Sequence, residues 1–171
     1  MYHIQTGSGM FNHLIEQLSR HSLIDVTLVA KGDVSPGAHH LIEDTAIVLG
    51  RAVRKALGDG RGIRRMGYAV VPMDEALAMA AVDLVERGHA SLKLFWAQEK
   101  VGDLPSEVIR HFLESFAVEA RLTLHAHIID GLDSHHQAEA LFKALGRAMR
   151  QAVELDPRSL GDIPSTKGAM G

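Results

Sequence analysis

The sequence predicts an α+β fold made of two related halves, because one histidine block occurs twice and the same order of elements surrounds each copy. The block is His-His-x-x-Glu, at residues 39–43 and again, 96 residues later, at residues 135–139. The identical pairs continue past the block as Leu49/Leu145, Gly50/Gly146, Arg51/Arg147, Ala52/Ala148 and Arg54/Arg150. The repeat therefore extends along the chain and is not confined to the histidines.

In the first half, apolar residues at helical spacing over residues 10–20 predict a helix that Ser8 can cap. Residues 23–31 are rich in β-branched side chains and predict a strand that closes in a turn. The first histidine block then opens a second helix, predicted over His39–Leu57. The glycines within residues 58–62 interrupt this pattern and mark the predicted joint between the halves.

The second half begins with predicted strands at residues 68–71, 77–85 and 90–96. A helix predicted over Ser106–Glu119 follows them. Residues 121–129 alternate apolar and polar side chains, which is typical of a half-buried strand, and lead through a turn into the second histidine helix. Both halves thus contain helix, strand, turn and histidine helix in that order.

Composition excludes several classes of protein. The 171 residues, 46% of them hydrophobic, suffice for one ordinary domain or for two small half-domains that share a core. Without cysteine, the chain has neither disulfides nor thiolate metal sites, and no apolar run of about 18 residues predicts a membrane span. We therefore expect a cytoplasmic protein with no membrane partner. The formal charge of −3, with mixed signs along the chain, argues against nucleic acid as a partner.

The spacing within each block predicts metal binding. Residues four apart lie on one face of a helix, so His39 and Glu43 can hold the same ion, whereas His40 points about 100° away and can reach a second ion. The second block has the same geometry. A lone histidine on a helix is more often a hydrogen-bonded or exposed side chain, but repetition of the whole block argues against that reading here.

Two further histidines complete the predicted ligand set. His13 precedes the first block by 26 residues and His111 precedes the second by 24, on equivalent predicted helices. Six histidines and two glutamates suffice for two sites, each of three histidines and one glutamate. Nitrogen and carboxylate donors without sulfur suit Mn²⁺, Fe²⁺, Co²⁺ or Zn²⁺, and four protein ligands leave two positions open on an octahedral ion. Open positions predict catalysis or ligand binding.

Five stretches resemble the imidazoleglycerol-phosphate dehydratase family, in the family's order and over nearly the whole chain. They are Met10-Phe11-Asn12-His13-Leu14-Ile15-Glu16-Gln17-Leu18, His39-His40-Leu41-Ile42-Glu43-Asp44, Pro72-Met73-Asp74-Glu75-Ala76, the second block with Ala140-Leu141-Phe142-Lys143-Ala144, and Pro164-Ser165-Thr166-Lys167-Gly168. The resemblance implies an α+β fold of two ferredoxin-like half-domains whose mixed sheets are backed by a helix bundle. It also implies self-association to trimers and a 24-mer.

The resemblance further implies a function and a site. The function is a lyase that dehydrates imidazole glycerol phosphate to imidazole acetol phosphate in histidine biosynthesis, with two Mn²⁺ ions per active site held between subunits. The implied metal ligands form two sets, His39, Glu43, His111 and His136 in one, and His135, Glu139, His13 and His40 in the other. The implied substrate-binding residues are Gln17 and His21 together with the phosphate-binding Arg65, Arg87, Ser165 and Lys167. The implied catalytic acids are Asp74 and Glu75.

Read without the resemblance, some of these residues have plainer interpretations. Arg65 and Arg87 are then solvated surface charges, and the Ser-Thr-Lys-Gly tail is disordered. The resemblance implies that the chain divides into three parts. These are a first half-repeat over residues 1–60 that lacks the family's N-terminal strand, a second half-repeat over residues 61–156, and a phosphate-contacting tail over residues 157–171.

The chain departs from the family pattern at four acidic positions. Family members begin with an upstream strand that carries Thr-x-Glu-Thr, and they prefer aspartates where this chain has Asn12 and Gly37-Ala38. Loss of outer carboxylates can lower metal affinity or activity by roughly 10–100-fold apiece. Two hypotheses follow. One is a dehydratase of reduced activity, which the retained phosphate-binding residues favour; the other is a metal-binding, assembled but non-catalytic paralogue, which the missing acid favours.

Overall fold

The computed structural model describes residues 1–32, 38–166 and 168. The predicted α+β class is confirmed, and so are the four predicted helices. The elements, in chain order, are β1 (Tyr2–Gln5), α1 (Gly9–Ser22), β2 (Val26–Val29), α2 (His39–Leu57), β3 (Met66–Met73), β4 (Ala76–Asp83), β5 (His89–Lys93), β6 (Lys100–Val101), β7 (Leu104–Pro105), α3 (Ser106–Glu119), β8 (Thr123–Asp130) and α4 (Ser134–Val153).

The largest sheet is mixed and has the strand order β3-β4-β8-β5. Neighbours within β3, β4 and β8 run antiparallel, whereas β5 runs parallel to β8. Leu124, Ala126 and Ile128 of β8 are buried, which confirms the alternation seen in the sequence. A second sheet pairs β1 with β2 in parallel, and β6 with β7 forms a short antiparallel ribbon.

Strand bounds differ from the predicted ones for local reasons. The strand predicted over residues 23–31 starts only at Val26, because Leu23 takes a left-handed conformation (φ 58°) that ends α1. The strand predicted over residues 90–96 ends at Lys93. The ribbon of β6 and β7 was not predicted, since two-residue strands are too short to show a periodicity.

The helices pack across the two halves of the repeat at a pair of glycines. A Cβ atom on Gly146 of α4 would lie 2.9 Å from the Leu18 carbonyl oxygen of α1. A Cβ atom on Gly50 of α2 would lie 2.9 Å from the Phe116 carbonyl oxygen of α3. Both contacts are too short for any side chain, so these identical repeat positions are where each histidine helix crosses a helix of the other half.

Aromatic side chains from the crossing helices pack together in the core. The Phe112 ring of α3 lies 5.4 Å from Phe11 of α1, 5.9 Å from Phe116 and 5.7 Å from Phe142 of α4, measured between ring centroids. All four rings are buried.

None of the described helices combines the length and the apolar character that crossing a membrane requires.

We expect Gly50→Ala and Gly146→Ala each to lower the free energy of unfolding by about 1–2 kcal/mol. Overpacking costs about 1–3 kcal/mol, and the better helix propensity of alanine recovers at most about 1 kcal/mol. Urea unfolding followed by circular dichroism measures the change. Gly161→Ala is the matched control, because an added Cβ there meets nothing within 4 Å. A stability equal to that of the control in both variants would contradict the crossing geometry.

Candidate metal centre

Both histidine blocks lie at the first turn of their helices. In α4, the Asp133 carboxylate caps the helix by accepting a hydrogen bond of 2.7 Å from the His135 backbone N–H. In α2, Ala38 precedes His39 in a left-handed conformation (φ 56°), and no side chain of the described residues caps this helix. Gly37, one of the positions where the chain departs from the family pattern, lies outside the described residues.

Three predicted ligands meet where α4 crosses α1. The Nε2 atom of His13 lies 3.0 Å from Oε2 of Glu139, and Nε2 of His135 lies 3.4 Å from the same oxygen. The two imidazole rings are stacked with centroids 5.7 Å apart. Among the described residues, this trio is the one group of three acidic or histidine side chains whose ligand atoms all lie within 4.8 Å of one another.

These distances suit a metal ion. Two ligand atoms that are each about 2.1 Å from one ion, at right angles, lie about 3 Å apart. The separations of 3.0 and 3.4 Å are close to that value. Two imidazoles and a carboxylate are the donors that divalent first-row metals bind well. The residues of this cluster therefore fit a divalent ion.

The Glu139 carboxylate is ionised although its side chain is only 10% exposed. Burial alone raises its pKa, but hydrogen bonds from Lys143 and His13 outweigh burial and lower the pKa to about 2. Lys143 donates from Nζ to Oε1 at 2.7 Å, which leaves Oε2 facing the two histidines. A carboxylate that is already deprotonated and oriented is ready to bind a cation.

A second, looser group lies where α2 crosses α3. The His39 and His111 rings are 4.6 Å apart, edge to face, and Nε2 of His39 lies 3.8 Å from Oε2 of Glu43. The Glu43 side chain is 44% exposed. His111 also lies 4.0 Å from the Glu114 carboxylate, measured from Nδ1 to Oε2. The structure thus brings together three of the four members of each predicted ligand set.

The remaining two ligands, His40 and His136, do not join these groups within the described part of the chain. Nδ1 of His136 lies 2.8 Å from Oε2 of Glu75, and its Nε2 lies 3.8 Å from Oδ2 of Asp74. His40 is exposed beside a cavity of about 600 Å³ between β2 and the start of α2. His136 thus contacts the acidic pair, whereas the His40 ring lies 5.8 Å from the His39 ring, measured between centroids.

The acidic pair Asp74 and Glu75 forms the turn between β3 and β4. Asp74 has a left-handed backbone (φ 48°), which suits a tight hairpin. Oε1 of Glu75 accepts hydrogen bonds from the backbone N–H groups of Leu132 and Asp133, at 3.1 and 3.0 Å. The hydrogen bond with His136 is the main reason that the pKa of Glu75 falls to about 2, and the same bond raises the pKa of His136. The turn therefore anchors both the start of α4 and a predicted metal ligand.

Arg65 has a defined environment, unlike a solvated surface charge. Its side chain is 17% exposed. It donates two hydrogen bonds to the Asp83 carboxylate, from Nε to Oδ1 at 2.7 Å and from Nη2 to Oδ2 at 3.1 Å. Its Nη1 donates to the Pro164 carbonyl at 2.8 Å. The backbone of Arg65 is left-handed (φ 70°), which is uncommon for arginine and frequent at functional sites. Arg65 thereby ties the C-terminal tail to the sheet.

The other predicted substrate-binding residues are placed less closely. Ser165 follows the residue that Arg65 holds, while Lys167 lies outside the described residues. Arg87 is exposed. Gln17 is half-buried on α1, as is His21, whose β-carbon lies at the Gly146 crossing and whose pKa is lowered by burial and by Lys143 and Arg147.

Sequence reasoning missed two contributing residues. Lys143 had a usable signal, since it lies four residues after Glu139 and so on the same helical face. Asp83, which holds Arg65, gave none, because the pairing depends on the register of β3 against β4.

The fold and this site define a class of protein, an α+β protein with a histidine and glutamate cluster suited to a divalent metal. The chain belongs to the imidazoleglycerol-phosphate dehydratase family, whose model matches residues 6–149. It is similar to imidazoleglycerol-phosphate dehydratases from Granulibacter bethesdensis, with 50% identity over 98% of this chain and 85% of the relative, and from Paracoccus denitrificans, with 48% identity over 99% and 87%.

Solved structures agree with this assignment. The crystal structure of the dehydratase from Staphylococcus aureus superposes with a TM-score of 0.85 at 35% identity, and it covers 91% of this chain and 88% of its own. That of the Pyrococcus furiosus enzyme in complex with (S)-C348 gives a TM-score of 0.86 at 30% identity, covering 98% and 90%. The family resemblance seen in the sequence is confirmed.

We expect the His136 pKa in the metal-free protein to lie above its ordinary value of 6.5, and to fall in Glu75→Gln. The Glu75 carboxylate stabilises the protonated ring, whereas a neutral amide does not. Nuclear magnetic resonance titration of the histidine ring protons measures both values. Asp130→Asn, on the same sheet, is the control and should leave the His136 titration unchanged. An unshifted His136 in the unaltered protein would show that this contact does not form in solution.

Proposed function

We propose that the chain is a dimetal lyase that dehydrates imidazole glycerol phosphate to imidazole acetol phosphate in histidine biosynthesis. The observation that carries the proposal is the cluster of His13, His135 and Glu139, whose spacing suits a divalent ion, in a chain of this family. The looser cluster of His39, Glu43 and His111 provides the second position. We propose Mn²⁺ as the ion, two per active site.

In the proposed mechanism, the metal clusters act on the substrate's imidazole ring, and the C-terminal tail helps to hold its phosphate. A bound divalent ion would act as a Lewis acid that polarises the substrate's imidazole ring. Arg65, Arg87, Ser165 and Lys167 are proposed to hold the phosphate. Because Arg65 bonds the Pro164 carbonyl, it fixes the start of the segment that carries Ser165 and Lys167. Anchoring the phosphate at one end restricts where the carbon that loses its proton can lie, and such positioning lowers the barrier.

Dehydration also needs proton transfers, for which we propose Glu75 and Asp74. A C–H bond breaks and gives up its proton, the neighbouring C–O bond breaks, and the hydroxyl leaves as water after gaining a proton; the enol so formed becomes the ketone. With a pKa of about 2, Glu75 is ionised, so it can accept a proton as a weak base but can donate one to the leaving hydroxyl only after taking it up. Asp74, whose side chain is 70% exposed, lies beside it and is the second candidate.

Assembly is proposed to complete each site. Each cluster within the chain has three of its four ligands, while His136 contacts Glu75 and, among the described residues, His40 does not join the cluster proposed for it. The cavity of about 600 Å³ next to His40 leaves room for a neighbouring subunit there. We therefore propose that these two histidines complete clusters of neighbouring subunits in a trimer-based 24-mer, in which metal binding stabilises the assembly by mass action.

The test is a direct assay of dehydration with added Mn²⁺. We expect turnover by the unaltered protein and its loss in Glu75→Gln, with substrate binding retained. Lys167→Ala should weaken substrate binding by about 1.5–3 kcal/mol, the worth of a charge-assisted hydrogen bond, without loss of metal. Lys55→Ala, an exposed lysine on α2, is the matched control.

Two results would contradict the proposal in different ways. A protein that binds Mn²⁺ and assembles, yet neither turns over nor binds an imidazole-phosphate analogue, would be the non-catalytic paralogue. A protein that binds the analogue equally well with and without Lys167 would not use the proposed phosphate site.

A further inference from the structure

The two clusters differ at the repeat position that lies four residues after the glutamate. Lys143 follows Glu139 by four residues, and the position that corresponds to Lys143 at the 96-residue offset is Ile47. The identical pair Gly50/Gly146 lies just beyond, so the alignment needs no gap here. One cluster therefore has a lysine beside its carboxylate, and the other has an apolar side chain that cannot donate a hydrogen bond.

The contacts of Lys143 are specific. Its ammonium donates to Oε1 of Glu139 at 2.7 Å and to Sδ of Met73 at 3.3 Å, and the lysine side chain is only 18% exposed. With Oε1 taken, the carboxylate presents Oε2 to His13 and His135. Lysine and glutamate each lose much rotational freedom when buried, and here the contact between them forms without an ion.

The other carboxylate is not held in this way. Glu43 is 44% exposed, against 10% for Glu139, and its contact with His39 is 3.8 Å, against 3.4 Å for the equivalent contact between His135 and Glu139. An ion that binds at the cluster of His39, Glu43 and His111 must therefore order its carboxylate as it binds. At the cluster of His13, His135 and Glu139, Lys143 already holds the carboxylate.

The charge of Lys143 opposes this advantage, since an ammonium repels a cation. Its nitrogen, however, is hydrogen-bonded to Oε1, the oxygen that does not face the two histidines. We expect the gain from orienting Glu139 to exceed this repulsion. Removing a group that orients a metal ligand typically lowers metal affinity or activity by 10–100-fold.

We propose that Lys143 is a positioning residue that fixes Glu139 as a one-oxygen ligand, so that the His13, His135 and Glu139 site binds its divalent ion before the His39, Glu43 and His111 site. This inference rests on the proposed dimetal centre and adds an order to it. The two ions are then not equivalent, although the sequence repeat suggests two equal sites.

The experiment is a titration of the metal-free protein with Mn²⁺, in which electron paramagnetic resonance measures free and bound ion. We expect two classes of site in the unaltered protein, separated by 10-fold or more in affinity. Lys143→Met should weaken the tighter class by roughly 10–100-fold. Lys143→Arg, which keeps a charged donor, should restore most of that loss. Ile47→Met places the same side chain at the equivalent position of the other half and should leave the tighter class unchanged.

The outcomes separate this inference from the proposed function. If the unaltered protein binds no Mn²⁺, or if His135→Ala removes no ion from the count, the dimetal centre itself is wrong. If it binds two ions with one affinity, or if Lys143→Met binds as tightly as the unaltered protein or more tightly, the centre stands and the role of Lys143 is wrong. Circular dichroism checks the fold of each variant, and Lys143→Gln, an uncharged donor, replaces Lys143→Met if the latter does not fold.

Discussion

The close crossing of helices from opposite halves is the constraint on which the site depends. Each histidine helix has a glycine at the equivalent position. This glycine lets the backbone of the crossing helix approach to a distance that any side chain would block. At one crossing, α1 of the first half brings His13 to the Glu139 carboxylate of the second half. At the other, α3 brings His111 to His39. Each cluster therefore exists only when both halves are folded together.

Charge then gives the clusters different characters. Glu139 is enclosed, ionised and held from one side by Lys143, so its cluster is formed in the absence of metal. Glu75 is likewise ionised, but its partner His136 is a predicted ligand of another cluster. Since an imidazole must be neutral to bind a metal, an ion that binds His136 competes with the proton that Glu75 favours there. In the proposed mechanism, the acidic turn therefore links metal binding at His136 to proton transfer at Glu75.

Much of this arrangement could be predicted from the sequence, and the reasons for success and failure are physical. The bounds of α2 and α3 and the burial in β8 follow from strong periodicity. The grouping of His39 with Glu43 follows from helix geometry. The pairing of Arg65 with Asp83 could not be predicted, because it arises from strand register. Nor could the unequal exposure of Glu43 and Glu139, because identical blocks have different neighbours once the chain is folded.

In the proposed enzyme, the two clusters hold two ions and are completed by neighbouring subunits. Native mass spectrometry of the Mn²⁺-loaded protein reports the number of ions per chain and the size of the assembly in one measurement. We expect two ions per chain in an oligomer of trimers that becomes smaller when a chelator removes the metal. A monomer with fewer than one ion per chain, unchanged in mass by the chelator apart from the lost metal, would contradict it.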